Sequence, residues 1–261
     1  MPTKKPAARQ SPAPKRTTRP LDEYRTKRDF TKTPEPDGKQ ARQKTRRRRS
    51  RETSELYFCV QKHLASHLHY DLRLEHQGVL LSWAVPKGPS LQPADKRMAV
   101  RTEDHPYDYG SFEGVIPEGY GAGIVMLWDR GKWTPEVDDI DAALGRGDLK
   151  FSLDGFKLKG SWALVRIRDR ADTPPKQRGR NWLLIKHADF WSGPVEITSF
   201  APLSVKSEGD FDDILAEEMP AQWVTGRPAT AVGSGRAAAL TRDVIERAAR
   251  KILARQRARR R

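Results

Sequence analysis

The stretch Leu68-His69-Tyr70-Asp71-Leu72-Arg73-Leu74-Glu75 alternates without a break, setting apolar Leu68, Tyr70, Leu72 and Leu74 against polar His69, Asp71, Arg73 and Glu75. A period of two is the pattern of a strand with one face in a core. Glu75-His76-Gln77-Gly78 then reads as a tight hairpin turn into Val79–Val85. Outward from this hairpin, short apolar or alternating runs punctuated by Gly and Pro predict strands over Tyr57–Gln61, Arg97–Thr102, Gly123–Asp129, Lys150–Leu153, Lys157–Ile167 and Trp182–Lys186. Many short strands with turn punctuation predict an antiparallel barrel or sandwich. Short helices are expected over Val137–Leu144 and Asp210–Glu218. A longer one is expected over 236–255, with Leu240, Val244, Ala248 and Ile252 on one stripe; the alternative there is a basic tail that folds only on a partner.

The polar face of Leu68–Glu75 is unusual in kind. A solvated face is the ordinary antiparallel case, but this one has no Lys, Thr or Ser filler. Its side chains recur every ~6.6–6.8 Å, so His69, Asp71 and Arg73 share one surface, with His63 and His67 delivered from just upstream. Two imidazoles and a carboxylate can hold a divalent transition metal with positions left open. An adjacent arginine can grip a phosphate through two parallel hydrogen bonds.

The 261 residues carry a net charge of +15, unevenly spread. Residues 1–54 hold 18 Lys/Arg against 6 Asp/Glu, residues 227–261 hold 11 against 2, and the middle is net acidic. Arg46–Arg49 with Arg51, and the arginines from Arg255 to Arg261, are runs that bind a polyanion by releasing its counterions. An acidic body with arginine-rich ends points to nucleic acid. The expected organisation is a disordered basic tail over 1–20, an arm over 21–36 with apolar anchors at Leu21, Tyr24 and Phe30, and an arginine-rich linker over 37–54. A β domain follows over 55–205, then a short acidic segment and linker over 206–235 and a basic amphipathic tail over 236–261. The single cysteine, Cys59, excludes a disulfide framework and a cysteine zinc site and reads as a small buried hydrophobe. No apolar run approaches the ~20 residues a membrane span needs, and no secretory signal opens the chain. The default compartment is a reducing cytoplasm.

Further residues with chemistry lie downstream. Lys87, at a strand end beside Gly88-Pro89, is placed for phosphate. Arg97 and Arg101 share a strand face. His105 and Tyr109, in Glu103-Asp104-His105-Pro106-Tyr107-Asp108-Tyr109, are candidate acids or donors to a phosphoryl group. Gly119-Tyr120-Gly121-Ala122-Gly123 precedes a strand and so is no dinucleotide fingerprint. There is no Gly-rich Walker sequence. Asp154-Gly155 lacks the lysine two residues before the aspartate that adenylate transfer by a ligase uses. No nucleotide cofactor is expected.

Together, Tyr24–Phe30 with Thr33-Pro34-Glu35-Pro36, Gln61-Lys62-His63, His69–Glu75, Ser82–Gly88, Glu103–Pro106, Tyr109, Phe112-Glu113-Gly114 and Trp128–Gly131 resemble the 3'-phosphoesterase module of bacterial and archaeal DNA ligase D, over about Leu21 to Lys186. The resemblance implies a mainly-β fold, a compact antiparallel β-barrel with short helices, and a manganese-dependent site that heals DNA 3' ends, other divalent transition metals being alternatives. It implies removal of a 3'-terminal ribonucleoside and then of the 3'-phosphate, leaving a 3'-hydroxyl at primer-template or double-strand-break ends. It makes His63, His69 and Asp71 the metal ligands. Arg73 and His105 are set on the scissile phosphate, with Lys87, Arg97, Glu103 and Tyr109 around it. Gln61 supports the metal site, and Arg28, Asp29 and Glu35 fold back over the pocket. His67 inherits no role. Pro117-Glu118-Gly119-Tyr120-Gly121 is one residue shorter than the family's usual loop. No polymerase or ligase module accompanies the domain, so a stand-alone, nucleoid-associated enzyme is expected, working beside a separate ligase, polymerase or Ku-like protein. The rival expectation is a non-catalytic DNA-end-binding or scaffold module.

Overall fold

A computed structural model describes residues 21–22, 55–117, 121–222 and 236–259. Ten strands form one sheet: β1 (Leu56–Leu64), β2 (Leu68–His76), β3 (Val79–Val85), β4 (Lys96–Arg101), β5 (His105–Pro106), β6 (Gly114–Ile116), β7 (Gly123–Pro135), β8 (Asp148–Gly155), β9 (Lys159–Arg166) and β10 (Asn181–Lys186). Eight of them close a ring in the order β1-β2-β3-β4-β10-β9-β8-β7, with β7 returning to β1. Every strand pairing is antiparallel. The barrel alternative therefore holds over the sandwich, and closure removes the open edges of the eight-strand ring.

The opening hairpin forms as its turn chemistry requires. Gln77 and Gly78 both have positive φ, 52° and 80°, the two-residue turn whose twist matches paired strands. It brings His76 opposite Val79. All eight expected strands are present. β7 runs on to Pro135, past the expected end at Asp129. β5 and β6, two and three residues long, are too short to show a period.

The ring is filled by the inward set of each strand. Phe58, Val60, Leu72, Leu74, Trp83, Trp133, Phe151, Trp162 and Leu164 are all buried in one cluster. Trp83 meets Trp182 edge-on at 6.0 Å, and Trp133 meets Phe151 at 6.1 Å, arrangements favoured by the ring quadrupoles. Cys59 is buried and free, as expected of a small hydrophobe. Leu21, the first anchor of the N-terminal arm, packs into the same cluster. Tyr24, Phe30 and the linker over 37–54 lie outside the described residues.

Among the described residues from 55 on, four helices accompany the barrel. α1 (Ile140–Arg146) starts on Asp139, which accepts from the Ala142 N–H, and ends at Gly147 in the left-handed conformation, φ 84°. α2 (Ile197–Phe200) is one turn. α3 (Phe211–Leu215) has a capping box between Asp210 and Asp213. α4 (Arg236–Arg259) packs on α3 through buried Val244 and Ala248. Lys251 lies 2.8 Å from Asp212 and 2.5 Å from Asp213, and Arg255 donates to the Ala216 carbonyl. The expected stripe is shorter than its period suggested. Ile252 is 38% exposed, because α3 ends at Leu215 and Lys251 and Arg255 occupy the rest of that contact. Among the described residues no helix is long and apolar enough to cross a membrane.

Candidate metal and phosphate site

Strand register assembles the site. His63 on β1 pairs directly with His69 on β2, and Gln61 pairs with Asp71. On the other side of β2, Arg73 pairs with Ser82 of β3. Side-chain parity then puts Gln61, His63, His69, Asp71, Arg73 and Ser82 on the outer face of the barrel, away from the apolar filling. That face is not solvated. Asp71 and Arg73 are 6% and 2% exposed, because β5, a 3-10 turn at Tyr107–Ser111 and β6 lie across it. These bring a second small apolar cluster of Tyr109, Phe112, Ile116 and Val125. The polar set is thus enclosed between the barrel wall and a covering layer.

His63, His69 and Asp71 each offer one ligand atom, and these atoms lie within 4.8 Å of one another. Asp71 Oδ2 is 3.8 Å from His63 Nδ1 and 3.7 Å from His69 Nε2. The far nitrogens are each tied to a carbonyl. His63 Nε2 donates to Gly121 O at 2.9 Å, and His69 Nδ1 donates to His67 O at 2.9 Å. A carbonyl can only accept, so each ring carries its hydrogen there and turns a lone pair toward Asp71. This outer bonding is what metal-ligating histidines use to fix tautomer and orientation. Gly121 has φ 85°, a conformation open to glycine, and the turn it makes presents that carbonyl. The donor set, two neutral imidazoles and one carboxylate, fits a divalent metal with open positions.

The charges support the same reading. Burial opposes ionisation of Asp71, but the Arg73 guanidinium outweighs it and holds the carboxyl far below its usual range. Burial pushes His63 down, against the raising influence of Asp71. Both groups are therefore in the protonation state that a metal requires.

Arg73 is fixed beside the trio. Its Nε donates to Gln61 Oε1 at 2.7 Å, Nη1 to Ser82 Oγ at 2.8 Å and Nη2 to Asp71 Oδ2 at 3.1 Å. Gln61 in turn donates to the carbonyls of Tyr109 and Phe112, locking the barrel wall to the covering layer. The guanidinium lies 4.8 Å from the Tyr109 ring centroid. His105 Nδ1 is 2.9 Å from both Glu103 O and Arg73 Nη1. Arg73 Nη1 can only donate and Glu103 O can only accept, so Nδ1 bonds one of them at a time, as its tautomer sets. The remaining acid-base chemistry of His105 then rests on Nε2. The His105 and Tyr109 rings are 5.0 Å apart.

The structure brings together Gln61, His63, His69, Asp71, Arg73, His105 and Tyr109, with Glu103 contributing its carbonyl. Lys87 is exposed just beyond Val85, at the strand end beside Tyr70 and Asp71. Arg97 is not brought to the cluster: Nη2 is held by Asp95 at 3.0 Å and Glu196 at 3.2 Å. The reason is strand parity. Asp71 aligns through Ala84 with Val100, which places Arg97 on the opposite face. Arg28, Asp29 and Glu35 lie outside the described residues, as do Glu118, Gly119 and Tyr120 of the shortened loop. His67 is exposed and serves through its carbonyl alone. Sequence reasoning missed Ser82, although a lone hydroxyl in Val79-Leu80-Leu81-Ser82-Trp83 is a legible signal. It also missed the Gly121 and His67 carbonyls, which no side-chain pattern reveals.

Residues 61–166 match the family model of the DNA Ligase D 3'-phosphoesterase domain. The chain is 52% identical over 174 residues to the multifunctional non-homologous end joining protein LigD of Pseudomonas aeruginosa, a match covering 66% of this chain and 19% of that protein. The protein of the same name from Mycolicibacterium smegmatis is 36% identical over 209 residues, covering 78% of this chain and 24% of its own. That of Mycobacterium bovis is 41% identical over 156 residues, covering 56% and 18%. The chain spans about a fifth of the length of these relatives. The buried cluster from Gln61 to Tyr109 falls wholly inside the matched span, and with it the chain belongs to the family of the DNA ligase D 3'-phosphoesterase domain.

Proposed function

We propose that the barrel is a metal-dependent phosphoesterase that heals DNA 3' ends, removing a 3'-terminal ribonucleoside and then the 3'-phosphate to leave a 3'-hydroxyl. The observation that carries this reading is the side-by-side placement of the His63–His69–Asp71 trio and the Arg73–His105 pair. Manganese suits the mixed imidazole and carboxylate donor set, and other divalent transition metals are alternatives. When bound, the metal supplies Lewis-acid polarisation of a phosphoryl oxygen, worth several kcal/mol of charge stabilisation.

The chain's own residues do the rest. Three of the five N–H groups of Arg73 are taken by Gln61, Ser82 and Asp71. The guanidinium thus meets a phosphoryl oxygen in a fixed orientation and pays no ordering cost on binding. Preorganised donors of this kind contribute through position. His105 Nε2 protonates the leaving oxygen or donates to the phosphoryl group, its ring held through Nδ1. Tyr109 stacks behind both. Lys87, exposed at the rim, draws in the phosphate. Contacts to the DNA end are assigned to Arg28, Asp29 and Glu35, and contacts to the duplex backbone to the arginine-rich segments. Work on DNA ends places the protein in the cytoplasm with the nucleoid, beside a separate ligase, polymerase or Ku-like protein.

The test is a labelled primer-template ending in one 3'-ribonucleotide, incubated with Mn²⁺. Sequential loss of the nucleoside and then the phosphate is expected. Tight binding without reaction on this end, or on a 3'-phosphate, would favour the non-catalytic end-binding module.

A further inference from the structure

One end of the barrel carries exposed aromatic rings that nothing in the fold requires. Phe156 is 68% exposed, Phe190 90%, Trp191 49% and Phe200 78%. Single exposed rings are ordinary, whereas several in one region mark a contact surface. The pairings place these four in one region. The antiparallel ring puts the β1–β2 turn, the start of β4, the end of β10 and the β8–β9 turn at the same end of the barrel. Phe156 sits in the β8–β9 turn, and Phe190 and Trp191 follow β10. The Phe190 and Trp191 rings meet edge-on at 5.3 Å. Lys157, next to Phe156, donates to Ala201 O and Leu203 O, which ties the segment after Phe200 to that same turn.

Cations are interleaved with the rings. Lys159 Nζ lies 5.4 Å from the Trp191 ring centroid, and the Arg130 guanidinium 5.9 Å from that of Phe156. Lys132 and Lys157 lie on the same strands and turn. The acidic groups facing this region include Asp154, paired with Lys159, Asp189, paired with Lys186, Glu55, paired with Lys132, and Asp95 and Glu196, both paired with Arg97. The His63 and His69 side chains flank the β1–β2 turn at this same end.

We infer that this barrel end is a stacking platform for unpaired nucleotides, distinct from the metal and phosphate cluster. Rings interleaved with cations match single-stranded nucleic acid: flat π-faces take bases of any sequence, and lysine and arginine follow the phosphates. The inference rests on the reading of the cluster as a DNA-end processor, since unpaired bases would then arrive at the barrel end nearest the reacting phosphate.

The arginine-rich segments bind any polyanion, so the experiment must separate base from phosphate. The full chain, without added metal, is titrated against a labelled 12-mer of thymidylate and against an abasic 12-mer with the same phosphates. The wild type is expected to prefer the base-bearing strand at least about fivefold for each ring engaged. Phe156→Ala/Trp191→Ala should bring the two affinities together, and Phe190→Ala, at the most exposed of the rings, should narrow the difference without touching the fold. His69→Ala should keep the full preference. Equal affinities in the wild type, or a preference that survives the ring substitutions, would overturn the inference and leave the surface to a protein contact. Because the readout needs neither metal nor turnover, it stands apart from any failure of the end-healing assay.

Discussion

At the scale of single residues, Arg73 and Asp71 decide how the site behaves. They are a buried ion pair, and removing one partner of such a pair costs about 3–5 kcal/mol because the other charge is left uncompensated. Asp71→Ala is therefore expected to lose both metal and stability, whereas His69→Ala, at a partly exposed ring, should lose the metal with the barrel intact. Urea unfolding of the two variants beside the wild type checks this. The same pair sets an acid response. The folded carboxyl of Asp71 titrates far below its usual range, so its contribution is full above about pH 4 and is lost as pH falls toward the folded value. Between pH 4 and 2.5 the slope should be on the order of 1.4 kcal/mol per unit for this group. Asp71→Asn should remove that slope, which urea titrations across the range would measure. Burial pushes the Cys59 thiol up to about 12. A thiol-specific reagent at pH 8 should leave the native chain unmodified and react fully after denaturation; rapid native labelling would contradict the packing around it. The ligand-type residues were legible because strand alternation put His69, Asp71 and Arg73 in series. Arg97 was misplaced because its sequence gives no sign of which side of β4 it faces relative to β2.

At the scale of elements, the covering layer converts an amphipathic strand into an enclosed site. Ser82, on β3, is one of the groups that position Arg73 within it. Ser82→Ala removes one hydrogen bond to a charged group, about 1.5–3 kcal/mol. The expected result is a lower kcat with KM little changed, read by steady-state kinetics on a 3'-phosphate end; a change confined to KM would argue against preorganisation. The β1–β2 and β2–β3 hairpins were legible from alternation and from Gln77-Gly78. The covering layer was not, since β5 and β6 owe their place to pairing with β3 and β7 and carry no period of their own. α4 shows the opposite case. Its period was visible, but its docking depends on Asp212, 4% exposed, meeting Lys251 and Arg247. Salt weakens the exposed side of such contacts. Amide exchange in α4 should therefore accelerate at 1 M salt while β1 and β2 stay protected.

At the scale of the whole molecule, the charge distribution and the barrel divide the work. The barrel body is net acidic and carries the proposed site; the ends are basic, and the proposal gives them the polyanion. The barrel was readable in kind, through many short strands and few helices. Closure came from the family resemblance and not from the strand pattern, because the β1–β7 pairing joins residues far apart in the chain with no local signal. The direct test of the account is a Mn²⁺ titration of the full chain, followed by electron paramagnetic resonance, with His69→Ala beside the wild type. One tightly bound ion per wild-type chain, lost in the variant while the fold is retained, is the predicted result. Equal Mn²⁺ binding by both proteins would contradict the assignment of His63, His69 and Asp71 as a metal centre, and with it the catalytic role proposed for Arg73 and His105.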